Sequence, residues 1–478
     1  MSLKKQAISG VKWTTISSIF NSIIQIVQLA ILARILNPTD FGLMAIVMVV
    51  IGFSQIFIDM GLSNAIIYKQ KITTEQLSSL YLLNILIGIL FFVLLIISSP
   101  LIAKIYENQK LTPLINLVAS TFLIKPWGQQ FMVLLEKKLQ FNAIAKTDII
   151  TRFISFVVVI VLAYNNFGVY ALAIGSIVFA LFSTIGYNYY GRSLYKPKLY
   201  LNVKQLKDFL SFGLFQMGEK IIQYFSSQFD TILIGKLLGI EVLGVYNVAK
   251  NLVSKPAAII NPVVTKVTFP LMSKFNDDIS QLKSVFLKTI SYLSFINIPV
   301  HLLIAVFAYQ VILIFFGDQW FSAKLILQIL AFAYLLRAIM SPAGSLLLSR
   351  GKANIAFYWN LATFFLYPIS IIIGSNWGIS GVALSTLILQ ILLFYPTWKI
   401  IIYKMINAEF WEYTRKLLPP MIISILSLLP SYIIYKINIE SIFLFLFSII
   451  IFCTTFFILM KKYNYSLIED VKIMILNK

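Results

Sequence analysis

Seven ionisable residues lie in stretches otherwise apolar enough to be buried in lipid: Lys125, Glu219, Lys220, Asp230, Lys250, Lys255 and Arg337. A charge at bilayer depth costs several kcal/mol, about 2.5–3.5 on insertion scales. Such residues must therefore face a wet or paired interior, and this set has a basic surplus. A low-dielectric chamber with excess positive charge suits an anion, and a phosphate group is the obvious biological one. Lys125, Lys220, Lys250, Lys255 and Arg337 are the candidate anion ligands. Glu219 and Asp230 are the candidates for taking up a proton or Na⁺.

Spacing ties these residues to helices. At 100° per residue, Gln216, Glu219, Lys220, Gln223, Ser227 and Asp230 form one polar stripe. The stripe recurs 202 positions earlier as Thr14, Ser17, Ser18, Asn21, Gln25 and Gln28. The match continues, with Ala33-Arg34-Ile35-Leu36 against Gly235-Lys236-Leu237-Leu238 and Phe41-Gly42-Leu43 against Leu243-Gly244-Val245. One helix pair is used twice, neutral-polar in the first copy and charged in the second. Further on, Asn247, Lys250, Asn251 and Ser254 share a face, and Pro256 and Pro262 bend the helix behind them. Two readings of Lys250 stay open: a ligand in a central cavity, or a structural partner of Asp230. Lys125-Pro126-Trp127 is a similar break, with Arg337 as its counterpart at an offset of 212. Both residues are read either as cavity-lining or as snorkelling. Arg34 and Lys236, at outer helix ends, complement the helix dipole. His301, the sole histidine, is expected to be a hydrogen-bonded interior residue. Asp59, Arg152 and Lys266 are placed near the cytoplasmic surface and set aside.

Composition decides the class. The 478 residues are 59% hydrophobic and only 12% charged, about half the charge of a soluble protein. This is an all-α polytopic membrane protein with about fourteen spans, each near the roughly 20 residues a bilayer needs. The net charge of +21 is assigned to cytoplasmic loops and anionic lipid headgroups, not to nucleic acid. With both termini inside, only Arg34, Lys104, Lys110, Lys236, Lys324 and Lys436 fall in outer loops, and the other loop cations fall inside. Cys453 is the single cysteine, so no intrachain disulfide forms. No cleavable signal peptide follows the basic start. Neither metal-ligand spacing nor a nucleotide-binding or hydrolase motif occurs, and no cofactor is expected.

A second repeat sets Gly168-Val169-Tyr170-Ala171-Leu172-Ala173 against Gly378-Ile379-Ser380-Gly381-Val382-Ala383, each at the outer end of a helical hairpin. The two repeats predict homologous six-helix lobes in one orientation around a central cavity. The first lobe covers residues 1–198 and the second 199–410. An extra helix pair and a cytoplasmic tail occupy 411–478. Residues Tyr195–Phe212 are read either as an interfacial helix between lobes or as a loop and the first turn of span 7.

This arrangement resembles the multidrug/oligosaccharidyl-lipid/polysaccharide exporter superfamily. Several stretches resemble its polysaccharide-transporter (Wzx-type) branch: Ser9-Gly10-Val11-Lys12-Trp13, Leu32-Ala33-Arg34-Ile35-Leu36 and Asp40-Phe41-Gly42. Others are Asp59-Met60-Gly61-Leu62, Leu135-Glu136-Lys137-Lys138-Leu139-Gln140-Phe141, Asp230-Thr231-Ile232-Leu233-Ile234-Gly235-Lys236 and Gly244-Val245-Tyr246. The resemblance implies a flippase in the bacterial inner membrane. It would move an undecaprenyl-pyrophosphate-linked oligosaccharide to the periplasmic leaflet by alternating access, for O-antigen, capsule or exopolysaccharide. A polysaccharide polymerase is then an implied partner. On this view the lysines meet the pyrophosphate, and Asn21, Gln25, Gln28, Gln223, Asn247 and Asn251 meet sugars. Related flippases carry an arginine in the first span. Here that helix offers only Ser17, Ser18, Asn21, Gln25 and Gln28 at depth, which shifts the expected anion site toward the second lobe. Two alternatives stand beside this reading. A cation-coupled multidrug exporter of the same superfamily needs an acidic cavity, against the basic surplus. A membrane polymerase or glycosyltransferase usually needs a long extramembrane loop or a carboxylate pair, and neither is visible.

Overall fold

The computed structural model describes residues 3–59, 66, 72–198, 200–202, 206–437 and 441–463. At a few helix positions, Asp59, Gln216 and Glu219 among them, the side chain lies outside that description. Among the described residues the regular structure is helical, as a lipid environment requires of a backbone that must satisfy its own polar groups. Two compact units form, Met1–Asn247 and Val248–Lys478.

The first unit opens with α1 (Leu3–Ile35) and α2 (Pro38–Asp59). Next comes α3 (Thr74–Ile105), started by a capping box in which Gln76 N donates to Thr73 Oγ1 and Thr73 N to Gln76 Oε1. A broken run follows as α4 (Leu111–Ala119), α5 (Thr121–Ile124) and α6 (Pro126–Lys137). The hairpin of α7 (Phe141–Tyr164) and α8 (Val169–Gly191) turns through Asn166 and Gly168, both at positive φ. Two further helices, α9 (Lys207–Leu237) and α10 (Ile240–Lys274), complete the element order here, and the boundary between units falls inside α10. Within the unit α1 packs on α7, α7 and α6 on α8, and α9 on α2.

The described residues 195–198 and 200–202, before α9, form a loop. Tyr195 OH donates to Ser78 Oγ at 2.8 Å, and Asn202 N donates to Ser79 Oγ at 3.0 Å. These bonds tie it to the first turns of α3. Of the two readings of Tyr195–Phe212, the structure takes the loop followed by the start of a long helix.

The second unit holds α11 (Ile279–Val306), α12 (Ala308–Phe315), α13 (Ala323–Met340), α14 (Pro342–Ser349), α15 (Ala353–Ser375) and α16 (Gly378–Pro396). A π-helical turn, Thr397–Tyr403, leads through the short α17 (Lys404–Ile406) and α18 (Phe410–Thr414) to α19 (Leu418–Ile437) and α20 (Ile442–Tyr463). Gly381 packs so closely on Gly374 that a Cβ there would stand 2.3 Å from the Gly374 carbonyl oxygen. The small residues of the second repeat thus serve the α15–α16 hairpin, as close helix approach in lipid demands. Many large apolar side chains are exposed, such as Ile433, Ile437 and Phe443, and they suit contact with acyl chains.

Eleven helices among the described residues are long and apolar enough to cross a membrane. The remaining expected spans are the α4–α6 run, α9 and α10. They are the ones interrupted by Lys125-Pro126, by Lys220 and Asp230, and by Lys250, Lys255 and Pro256. The polar residues that weaken these segments as membrane spans are the candidate functional ones.

A candidate anion-binding cavity

Pro126 begins the site. It has no N–H, so the Phe122 carbonyl one turn back loses its helical donor. The helix breaks there into α5 and α6, with Lys125 at the joint. Gly88 of α3 makes room for the break: a Cβ at this position would lie 2.4 Å from Phe122 O and 2.7 Å from Pro126 Cγ. We expect Gly88→Ala to cost about 1–3 kcal/mol through overpacking. Unfolding in detergent measures it, against Gly344→Ala, where a Cβ meets nothing within 4 Å. Equal stability of the two variants would show that the break has no fixed seat.

Across from the break, α9 lies against α2. Tyr224 OH donates to Val49 O at 2.7 Å and sits over Gly52, and the Phe53 and Phe225 rings pack at 5.2 Å. Lys220, one turn before Tyr224, is thereby carried to the level of Gln55 and Ile56. On the remaining side, Thr184 Oγ1 donates to Ile124 O at 3.3 Å and holds α8 to the break.

These contacts enclose a cavity of about 380 Å³ within the first unit, at the small end of the roughly 300–1,000 Å³ of small-molecule sites. Gln55 lines it from α2, Lys125 and Gln129 from the break, and Lys220 from α9; α8 adds Phe179, Ser183, Thr184 and Tyr187. No carboxylate is among the described lining residues. Lys125 Nζ donates to Gln55 Oε1 at 3.4 Å, its sole hydrogen bond among the described residues. An ammonium carries three donors and no acceptor. The wall is mostly apolar, and the charge that its described residues carry is positive, which fits a phosphate better than a cation.

Lys125 and Lys220 come together here. Other residues marked out from the sequence lie elsewhere. On α1, Asn21 Nδ2 donates to Ser17 Oγ at 3.2 Å, and its buried Oδ1 has no partner among the described residues. Gln25 and Gln28 are half-buried on the same helix, and Gln223 is exposed on α9. Asp230 accepts from Tyr246 OH at 3.2 Å and from Thr231 N at 2.7 Å. The Glu219 side chain lies outside the described residues. Asn247, half-buried on α10, is the last residue of the first unit.

In the second unit, Lys250, Asn251 and Lys255 are half-buried on α10. The exposed Arg337 guanidinium lies over Tyr334 and Tyr367, 5.8 and 5.9 Å from the ring centroids. His301 is buried, with Nδ1 2.8 Å from Asn297 O and Nε2 3.2 Å from Val253 O. Asn297 in turn donates to Asn261 Oδ1 at 3.1 Å, and Asn261 to Ser341 Oγ at 2.8 Å. This chain, buried at His301 and Asn297 and exposed at Ser341, joins the bends of α10 to the break between α13 and α14.

Sequence reasoning passes over Gln55, Phe179, Tyr187 and Asp148. Asp148 accepts a hydrogen bond from Tyr187 OH. The guanidinium of Arg152, one turn further along α7, lies 4.4 Å from the Phe179 ring centroid. The available signal was Asp148 and Arg152 at i and i+4 inside an apolar span, a spacing that makes neighbours on a helix.

Sequence comparison decides the family. The polysaccharide biosynthesis protein family matches residues 31–325. The teichuronic acid biosynthesis protein TuaB of Bacillus subtilis is 36% identical over 77% of each chain. The chain belongs to the polysaccharide biosynthesis protein family. The lipopolysaccharide biosynthesis protein WzxC of Escherichia coli is 32% identical over 90% of this chain and 88% of its own length. Among solved structures, the lipid II flippase MurJ in an inward closed conformation has a TM-score of 0.75. It covers 96% of this chain and 100% of its own at 17% identity, and that likeness shows the fold. This member of the polysaccharide biosynthesis protein family is thus a multi-pass, all-helical membrane protein.

Proposed function

We propose that this chain is a transporter that carries an undecaprenyl-pyrophosphate-linked oligosaccharide across the bacterial inner membrane by alternating access. Both termini lie in the cytoplasm, and the cargo serves surface polysaccharide synthesis. One observation carries the reading: among the described residues, two lysines and no carboxylate line a single cavity in the first unit. A diphosphate offers several anionic acceptors to ammonium groups, which are donors only. Membership of a polysaccharide biosynthesis family supports the sugar part of the cargo, and the fold of a lipid II flippase supports the lipid part. Lys250, Lys255 and Arg337 are proposed as further ligands for the same headgroup on its passage. Asn21, Gln25, Gln28, Gln223, Asn247 and Asn251 are proposed to meet sugars. An inside-negative potential favours outward movement of an anion by about 2.3 kcal/mol per charge per 100 mV. Glu219 and Asp230 are the proposed groups for a coupled Na⁺ or proton.

Deleting the gene tests the proposal. We expect lipid-linked oligosaccharide to accumulate in the cytoplasmic leaflet, out of reach of a periplasmic glycosidase, while drug susceptibility stays unchanged. Polysaccharide export at the normal rate in the deletion strain, or polymer synthesis by the purified protein alone, would sink it.

A further inference from the structure

The cavity has two chemically different sides. Lys125 and Lys220 offer donors only. Tyr187, on α8, lines the cavity too, yet its phenolic proton is committed behind the wall, in the hydrogen bond to Asp148. A phenol is a donor and an acceptor at once. With the proton engaged, Tyr187 is left with its oxygen lone pairs as an acceptor. Arg152 stands at i+4 from Asp148 on α7, its neighbour on the helix surface. Arg152 is itself held over the Phe179 ring and is not among the lining residues. A phosphate has no hydrogen to give to an acceptor, so Tyr187 does not suit the diphosphate. It suits a hydroxyl or an amide N–H, and the group nearest a sugar diphosphate that carries these is the sugar itself. The cavity, of about 380 Å³ and open on one side, has room for a headgroup with its first sugar, and further sugars would extend outside it.

We propose that Tyr187, held as an acceptor by Asp148, reads the first sugar of the lipid diphosphate through a hydroxyl or N-acetyl N–H. Tyr187 is a specificity-determining residue on this view, and Asp148 is a positioning residue acting through it. The proposal rests on the diphosphate reading of the cavity, and the experiment separates the two.

Purified full-length protein is titrated with undecaprenyl pyrophosphate and with the same lipid bearing one glucose, galactose, N-acetylglucosamine or N-acetylgalactosamine. Wild type is expected to bind at least one glycosylated form about tenfold more tightly than the bare diphosphate, the size of one modest hydrogen bond, ~1.4 kcal/mol. Tyr187→Phe removes that gain and leaves bare diphosphate binding within about twofold, since the two lysines remain. Asp148→Ala releases the phenolic proton toward the cavity. The phenol keeps its lone pairs but loses their fixed direction, so the sugar gain shrinks, while bare diphosphate binds as tightly as before or more tightly. A merely structural role for either residue weakens both ligands alike, and that result overturns the proposal. So does an unchanged sugar gain in Tyr187→Phe, or wild type that does not distinguish glycosylated from bare lipid. Wild type that binds none of these lipids overturns the diphosphate reading along with it. Should Asp148→Ala fail to fold, Tyr187→Phe carries the test alone, because it keeps the ring in place.

Discussion

Replacing Lys125 and Lys220 together by glutamine is expected to weaken binding of undecaprenyl pyrophosphate at least ~100-fold and to stop surface polysaccharide export at an unchanged protein level. A hydrogen bond to a charged group contributes about 1.5–3 kcal/mol, and each 1.4 kcal/mol is a factor of ten in affinity. The two ammonium groups converge on one ligand, so their losses are coupled and the double variant need not equal the sum of the singles. Glutamine keeps much of the stem that packs along the wall and removes the charge. The contrast is with Lys104→Gln and Lys436→Gln, exposed cations in the last turns of α3 and α19, which leave affinity unchanged. Ionic strength gives an independent reading. Salt weakens wild-type binding because part of it is Coulombic, and the double variant loses most of that dependence. Wild-type affinity in the double variant, with its salt dependence intact, would remove Lys125 and Lys220 from the site.

The sequence reveals one half of this cavity and hides the other, for physical reasons. A lysine in an apolar span is costly enough to stand out, and Lys125 beside Pro126 also marks a helix break. Lys220 stands out for the same reason. Tyr187, Thr184 and Ser183 carry no such signal. Hydroxyl and aromatic residues are common in membrane helices, where most only pack or bond to a carbonyl one turn back. Ser176 does this to Leu172 O at 3.1 Å, and Thr454 to Ile450 O at 2.9 Å. Whether such a residue lines a cavity depends on the rotation of its helix about its own axis, which hydropathy does not fix. Gln223 illustrates the limit: it shares the stripe of Lys220 on α9 but is exposed. Spans and hairpins were more legible. Turn glycines with positive φ at Gly168 and Gly378 coincide with the repeated motif, because a tight turn between long helices favours a residue without a Cβ. The repeat predicts a lobe starting at residue 199, whereas contact density groups α9 and the first turns of α10 with residues 1–198. Sequence likeness and packing divide the chain on different grounds.

Gly42→Ala and Gly244→Ala should be the most destabilising single substitutions of a glycine by alanine in the first unit. Helix α2 begins at Pro38 and α10 at Ile240, positions that correspond in the repeat, and each glycine lies one turn on. The two helix starts cross reciprocally. A Cβ on Gly42 would stand 1.9 Å from Ile240 O, and a Cβ on Gly244 would stand 1.8 Å from Pro38 O. Such a pairing of equivalent positions is what a two-fold relation between the repeated helix pairs would produce. The obstacle in both cases is backbone in the first turn of a helix, so no side chain can swing away, and the helices themselves must separate. Overpacking typically costs about 1–3 kcal/mol and occasionally more, and these two should reach or pass the upper figure. Because both contacts belong to one crossing, the first substitution already opens the gap that the second needs. The double variant should therefore lose at least ~1 kcal/mol less than the sum of the singles, a coupling that a double-mutant cycle in detergent resolves. Strict additivity would mean that the two glycines act at separate places and that the crossing is not the shared seam of the two repeats.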